Sequence, residues 1–198
     1  QLLLETMKKR FGENIGTDLM HVKVLLSQKQ HQAALEYFEA YFTERTDVEI
    51  LETAVTLYML NGQIEKAYVS VNKLLENSPD KEAYLTMKID IALMSNDLGL
   101  AEELINSQLS KKPNNFSSRY REAKLKFYKG NYAEAQRLAE KLSSEDIFNF
   151  DLHMLIGNAL TQQRKHDKAL EAYNRAKRAN PNSASPSERV IATHRANK

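Results

Sequence analysis

Metal binding and acid–base catalysis would fall first to the five histidines and to paired carboxylates, and neither group is spaced for that chemistry. His21 and His153 fall on helical stretches beside an apolar stripe, and His31 and His166 lie in or next to short polar breaks. Each reads as a half-buried or turn residue rather than as one ligand of a metal set. Glu102 and Glu103 are adjacent, so on a helix they point to different azimuths and cannot face one substrate as an acid and a base. There is no HExxH, GxSxG, GxGxxG or GxxxxGK[ST] pattern. The chain has no cysteine, which removes a disulfide framework, a thiolate metal site and a thiol nucleophile together. Tyr37, Phe38, Tyr41 and Phe42 cluster at helical spacing, a pattern that packing between helices explains. The expectation is a protein that is not an enzyme and holds neither metal nor cofactor.

The elements that carry these residues must then be read for another purpose. With 42% apolar and 27% charged residues in 198, the chain can bury a core. No window reaches the ~18 apolar residues of a membrane span, and Gln1-Leu2-Leu3-Leu4-Glu5 is too short for a signal sequence. The chain opens at Gln1 rather than at methionine, which suggests a segment of a longer protein; cytoplasm and bacterial periplasm or envelope both stay open. Charge is uneven, with 12 Lys or Arg against 17 Asp or Glu over residues 1–115, and 16 against 9 over residues 116–198. No basic cluster interleaves with aromatics, so nucleic acid is not expected as a partner.

Alignment of the chain on itself brings Ala34, Ala67, Ala101, Ala135 and Ala169 into register, at steps of 33, 34, 34 and 34 residues. Apolar residues follow each alanine at i+3, i+4 and i+7, as in Ala34, Phe38 and Tyr41 or Ala169, Tyr173 and Ala176, which predicts an amphipathic helix. A polar break precedes each alanine, such as Asn61-Gly62 or Lys129-Gly130-Asn131, and a second apolar-periodic run precedes the break. Proline at 79, 113 and 181 stops the outgoing helix, with Asp, Asn or Ser to cap the next. A pair of helices about 34 residues long cannot bury its apolar stripe alone and must stack on neighbours. The division is one solenoid over 1–198, with repeats at 15–47, 48–81, 82–115, 116–149 and 150–183. Residues 1–14 fit the trailing helix of a preceding repeat and 184–198 the partial first helix of a following one. Ser185, Pro186 and Glu188 read as cap, first helical residue and capping-box acid. Leu2, Leu3, Leu4, Val190 and Ile191 would then be incompletely covered, giving a monomer or a weak dimer through the end helices.

In these features the chain resembles the tetratricopeptide repeat family. The resemblance is strongest in 150–183, where Ile156-Gly157, Ala169, Tyr173, Ala176 and Pro181 match the family's pattern. Val22, Val55 and Ile89 replace the residue equivalent to Gly157, and Thr46 and Ile147 replace the terminal proline. The resemblance implies an all-α fold, an α–α superhelix of antiparallel helix pairs whose first helices line a concave groove. It also implies a non-catalytic scaffold that binds a peptide or protein segment there. The implied groove positions are Lys23, Glu49, Glu52, Thr56, Asp90, Tyr120, Arg121, Lys124, Phe127, Tyr128 and Asn158, with Leu19 and Leu93 among the apolar members. Co-chaperone members clamp a terminal carboxylate with Lys and Asn on one first helix and more cations on the next. Only Arg121, Lys124 and Asn158 approach that set here, so the clamp is missing. The alternative is an accessory array of a larger enzyme or of an envelope polysaccharide-export or protein-sorting machine, a likeness that rests on repeat style.

Overall fold

The computed structural model describes Thr6 and residues 15–196, with the backbone alone for 194–196. The helix expected over residues 1–14, with Leu2, Leu3 and Leu4, lies outside these residues. Eleven helices are described: α1 Ile15–Ser27, α2 His31–Phe42, α3 Val48–Leu60, α4 Ile64–Asn77, α5 Glu82–Met94, α6 Leu98–Lys111, α7 Phe116–Tyr128, α8 Tyr132–Ser143, α9 Phe150–Gln162, α10 His166–Ala179 and α11 Ser185–Ala196. They fall into two compact units, Gln1–Ile91 and Ala92–Lys198.

The turns that separate the helices of each pair share one geometry. Lys29, Gly62, Asn96, Gly130 and Arg164 have φ of 59°, 71°, 60°, 78° and 60°. In each turn two backbone bonds close the helix end. Lys29 N–H donates to Leu26 O at 3.0 Å and Gln30 N–H to Leu25 O at 3.0 Å, and Arg164 N–H and Lys165 N–H donate to Thr161 O and Leu160 O at 2.9 Å each. This is the Schellman closure, which satisfies the last carbonyls of a helix by turning one residue left-handed. Glycine at 62 and 130 fits that position without strain, whereas Lys29 and Arg164 hold it against a cost of about 1–2 kcal/mol. The helix entries use short polar side chains. Asp97 Oδ1 accepts from Leu100 N–H at 3.1 Å, Asn115 Oδ1 from Ser118 N–H at 2.9 Å and Asn149 Oδ1 from Leu152 N–H at 3.1 Å. At α11 the Glu188 N–H donates to Ala184 O at 3.1 Å, so the chain enters that helix one residue before the serine read as its cap.

In the first unit α1 packs on α2, α2 on α3 and α3 on α4. The core runs from Leu19 and Val22 through Phe38, Val55 and Val71 to Tyr84 and Ile91. In the second unit α6 packs on α7 and each later helix on the next, while α7 also touches α9. Its core gathers Ala123, Ala139, Leu152, Ile156, Ala172 and Tyr173, with Val190 of α11 against its edge. All five register alanines are fully buried, which is why a larger side chain is excluded there. Gly157 has a different reason to be small. A Cβ at that position would stand 2.4 Å from the Tyr173 ring, so the tyrosine occupies the volume that Val55 fills at the equivalent place in the first unit. The aromatic cluster of α2 divides: Phe38 and Phe42 are core, whereas Tyr41 is 54% exposed and stacks on Tyr37.

Candidate functional site

The side chains expected along the first helices are used differently in the two units. In the first, Lys23 Nζ on α1 stands 2.6 Å from Glu49 Oε1 on α3. Glu52 Oε1 accepts from the Tyr84 hydroxyl at 2.8 Å and from Lys81 Nζ at 3.4 Å. Lys81 Nζ also donates to Tyr84 Oη at 2.6 Å. The Tyr84 hydroxyl first, and Glu52 after it, hold the Lys81 ammonium above its ordinary range, against the opposing effect of burial. Thr56 turns its hydroxyl onto the Glu52 carbonyl at 3.1 Å. Asp90 is half-buried on α5. Leu19 of this unit and Leu93, at the start of the second, are 4% and 1% exposed, so these two expected groove residues are core instead. Their helix positions carry over from the family pattern, but side-chain packing covers them.

In the second unit the corresponding wall is built by α7 and α9. Tyr120 and Lys124, one turn apart on α7, bring Lys124 Nζ to 5.8 Å from the tyrosine ring. Phe127 packs edge-on against Tyr128 at 6.0 Å and against Tyr132 of α8 at 5.4 Å. Tyr128 stays 44% exposed. Arg121 bends back along its own helix, donating to Ser117 Oγ at 2.6 Å. Asn158 is held from behind: Tyr173 Oη donates to Asn158 Oδ1 at 3.0 Å and shares a second bond with Thr161 Oγ1 at 3.0 Å. Burial pushes the Tyr173 phenol up, and the Thr161 hydrogen bond opposes that rise. With Oδ1 accepting from the phenol, the Asn158 amide keeps both Nδ2 hydrogens for a ligand. Periodicity marked Tyr173 as a packing residue only. Its hydrogen bond spans 15 positions of sequence and follows from the missing Cβ of Gly157.

Repeat-equivalent furrows also run between successive second helices. In the first unit a cavity of about 300 Å³ lies between α2 and α4 over α3, floored by Phe42, Leu51, Ala54 and Tyr58 with Val69 at its lip. Lys66 of α4 closes one side of it by pairing with Glu39 of α2 at 2.7 Å. Between α8 and α10 the equivalent space is lined by Gln136, Glu140, His153, Lys168 and Glu171.

Residues 120–184 match the model of the tetratricopeptide repeat family. The chain carries tetratricopeptide repeats over those residues. Solved structures of the same kind extend the likeness over the rest of it. A tetratricopeptide repeat protein from Parabacteroides merdae is 19% identical, with 96% of this chain and 90% of that one covered at a TM-score of 0.62. A thermophilic tetratricopeptide repeat protein of Thermus thermophilus is 14% identical over 90% of this chain and 97% of its own, at a TM-score of 0.74. YrrB, described as a tetratricopeptide repeat protein with an unusual peptide-binding site, is 15% identical over 93% and 96%, at a TM-score of 0.52. No curated protein matches the sequence. These likenesses place the fold in the all-α, α–α superhelix class, one typical of protein–protein interaction scaffolds rather than of enzymes. Among the described residues there is no cluster of metal-ligating side chains, and no helix is long and apolar enough to cross a membrane.

Proposed function

We propose that this tetratricopeptide repeat protein is a non-catalytic scaffold whose second unit binds a peptide or protein segment along the wall of α7 and α9. The observation that carries this reading is the Tyr173–Asn158 hydrogen bond, which leaves an amide donor pair fixed in place before any ligand arrives. A main-chain carbonyl of an extended segment is the natural acceptor for it. Tyr120, Phe127 and Tyr128 supply rigid apolar contact area beside that donor, and Lys124 adds a cation that favours an acidic or carboxyl-terminal residue. In the first unit Lys23, Glu49 and Glu52 are engaged with partners of their own unit. The description of YrrB as a peptide binder agrees with this reading.

The test is a set of peptides selected by display on the intact protein, with affinities measured by fluorescence anisotropy. Tyr120→Ala with Lys124→Glu should weaken the selected peptides by about tenfold or more, a loss of about 1.4 kcal/mol, with an unchanged helical spectrum. Tyr173→Phe, which frees the Asn158 amide, should weaken them by a smaller factor. Affinities that ignore both changes would remove the wall of α7 and α9 as the binding surface.

A further inference from the structure

A second recess in the same unit contains none of Tyr120, Lys124, Phe127, Tyr128 and Asn158. It measures about 320 Å³ and lies between the end of α8, the 144–149 loop and the C-terminal half of α10. Ser143, Ile147, Phe148, His153, Arg175 and Arg178 line it. Ile147 and Phe148 are 63% and 73% exposed, two large apolar side chains in succession on a loop that buries neither. Arg175 and Arg178 stand three residues apart on α10, and among the described residues neither pairs with a carboxylate. The loop has two carboxylates of its own, but both are committed. Glu145 takes a forked pair of hydrogen bonds from Arg119 at 2.8 and 3.0 Å, and Asp146 Oδ2 accepts from Asn149 Nδ2 at 2.9 Å. Glu140 and Glu171 line the adjoining furrow, where Glu140 is engaged by Gln136 Nε2 at 2.8 Å.

The third observation is His153, only 5% exposed at the edge shared by the recess and the furrow. Its Nε2 lies 2.8 Å from Ile147 O, and a carbonyl can only accept, so the proton of the neutral ring sits on Nε2. Nδ1 is then a buried acceptor that no group among the described residues satisfies. The recess therefore combines an apolar shelf, two uncommitted guanidinium groups and a ring nitrogen that lacks a donor.

We infer that this recess is a second docking surface, built for an acidic protein segment that lays an apolar side chain on Ile147 and Phe148 and sets its carboxylates on Arg175 and Arg178. Charge complementarity selects the acid, since residues 116–198 carry 16 Lys or Arg against 9 Asp or Glu. The exposed apolar pair and the Nδ1 acceptor select a peptide over a polyphosphate. A peptide brings both a hydrophobic side chain and main-chain N–H donors, and an inorganic polyphosphate brings neither. Guanidinium groups suit planar carboxylates for the same geometric reason that they suit other forked acceptors.

The probe is a fluorescein-labelled hexapeptide, Glu-Asp-Leu-Phe-Glu-Asp, titrated with the intact protein and followed by anisotropy. Saturable binding is expected, weakened about tenfold or more by Arg175→Glu with Arg178→Glu and about threefold by Phe148→Ser. These three side chains are exposed, so the fold should survive their replacement, as circular dichroism would verify. Tyr120→Ala with Lys124→Glu should leave the probe's affinity within about twofold, which separates this surface from the wall of α7 and α9. The Nδ1 resonance of His153 in ¹⁵N-labelled protein should move on binding. Four outcomes overturn the inference: no binding by the unaltered protein, binding indifferent to the two arginines, equal affinity for Glu-Asp-Ser-Ser-Glu-Asp or a hexathymidylate, or a concentration-dependent dimer that the arginine changes abolish. The last would assign the recess to a second copy of the chain.

Discussion

The two units are made from one repeat and both hold ion pairs, yet they differ in the cations left over. In the first, Lys23 of α1 reaches Glu49 of α3 and Glu39 of α2 reaches Lys66 of α4 across successive repeats, and Glu52 of α3 meets Lys81 at the end of its own repeat; in the second, Glu102 of α6 reaches Lys129 beyond the end of α7 across two repeats. These are exposed pairs, each worth between nothing and about 1 kcal/mol. In the second, Lys168, Arg175, Lys177 and Arg178 on α10 have no acidic partner among the described residues, and Tyr173, standing where the first unit has Phe38 and Val71, grips Asn158. Repetition therefore fixes the helix pairs without fixing what their surfaces do. What sets the second unit apart is the row of α10 cations without an acidic partner among the described residues.

The sharpest way to break this contrast is through the packing that separates the units. Tyr173→Ala should destabilise the protein by about 3–5 kcal/mol in urea melts, because it empties a fully enclosed aromatic site. Gly157→Ala would gain about 1 kcal/mol of helix propensity, yet the new Cβ collides with the Tyr173 ring, so a net loss of about 1–2 kcal/mol is expected. Gly157→Val combined with Tyr173→Val installs the pair found as Val55 and Val71 and should be more stable than Gly157→Val alone. If the double variant is no better than the single one, the exchange of volume between these two positions is not what divides the units.

A smaller effect belongs to the turns, where each unit supplies its own control. Lys29→Gly and Arg164→Gly should each stabilise by about 0.5–1 kcal/mol, and Gly62→Ala and Gly130→Ala should each destabilise by a similar amount. Matching effects in the two units would show that the turn is indifferent to the surface chemistry around it, whereas a response in one unit only would tie turn strain to that chemistry.

The smallest effect is in pH dependence. The hydrogen bond from Arg119 holds the Glu145 carboxyl below its ordinary 4.5, so the second unit gains a contribution that is present above that value and is lost as pH falls through the lowered one. In the first unit the hydrogen bond from Lys66 to Glu39 holds the ammonium above its ordinary 10.5. That contribution is complete below the ordinary value and is lost only as pH rises past the raised one. Glu145→Gln should flatten the acid limb of the urea midpoint against pH, and Lys66→Met should flatten the alkaline limb. Limbs that persist unchanged in both variants would deny these pairs any part in the pH response.

Sequence periodicity locates what depends on spacing alone. The buried alanines, the polar breaks that become turns and the Asn115 cap can all be read without coordinates, because each is a local requirement of a helix or its end. The left-handed Lys29 and Arg164 cannot, since nothing in a lysine or arginine signals positive φ and the turn is imposed by backbone closure. Of the wall residues, the pairing of Tyr120 with Lys124 follows from helical spacing. The Tyr173 grip on Asn158 and the engagement of Lys23 by Glu49 depend on how one helix leans on another. Leu19 and Leu93 depart from expectation for the same reason: a family position names a helix face, but packing decides whether that face is covered. His153 is the inward-facing histidine that its place beside the apolar stripe implies, and its unsatisfied nitrogen becomes visible only with the 144–149 loop in place.

The Schellman closure has a practical corollary. Because every tight connection is sealed by main-chain atoms, the side chains of Lys29, Asn96 and Arg164 are not needed to hold the helices together. These three positions are spare attachment points, where a dye, a spin label or a surface tether could be grafted while leaving both ligand-facing surfaces as they are.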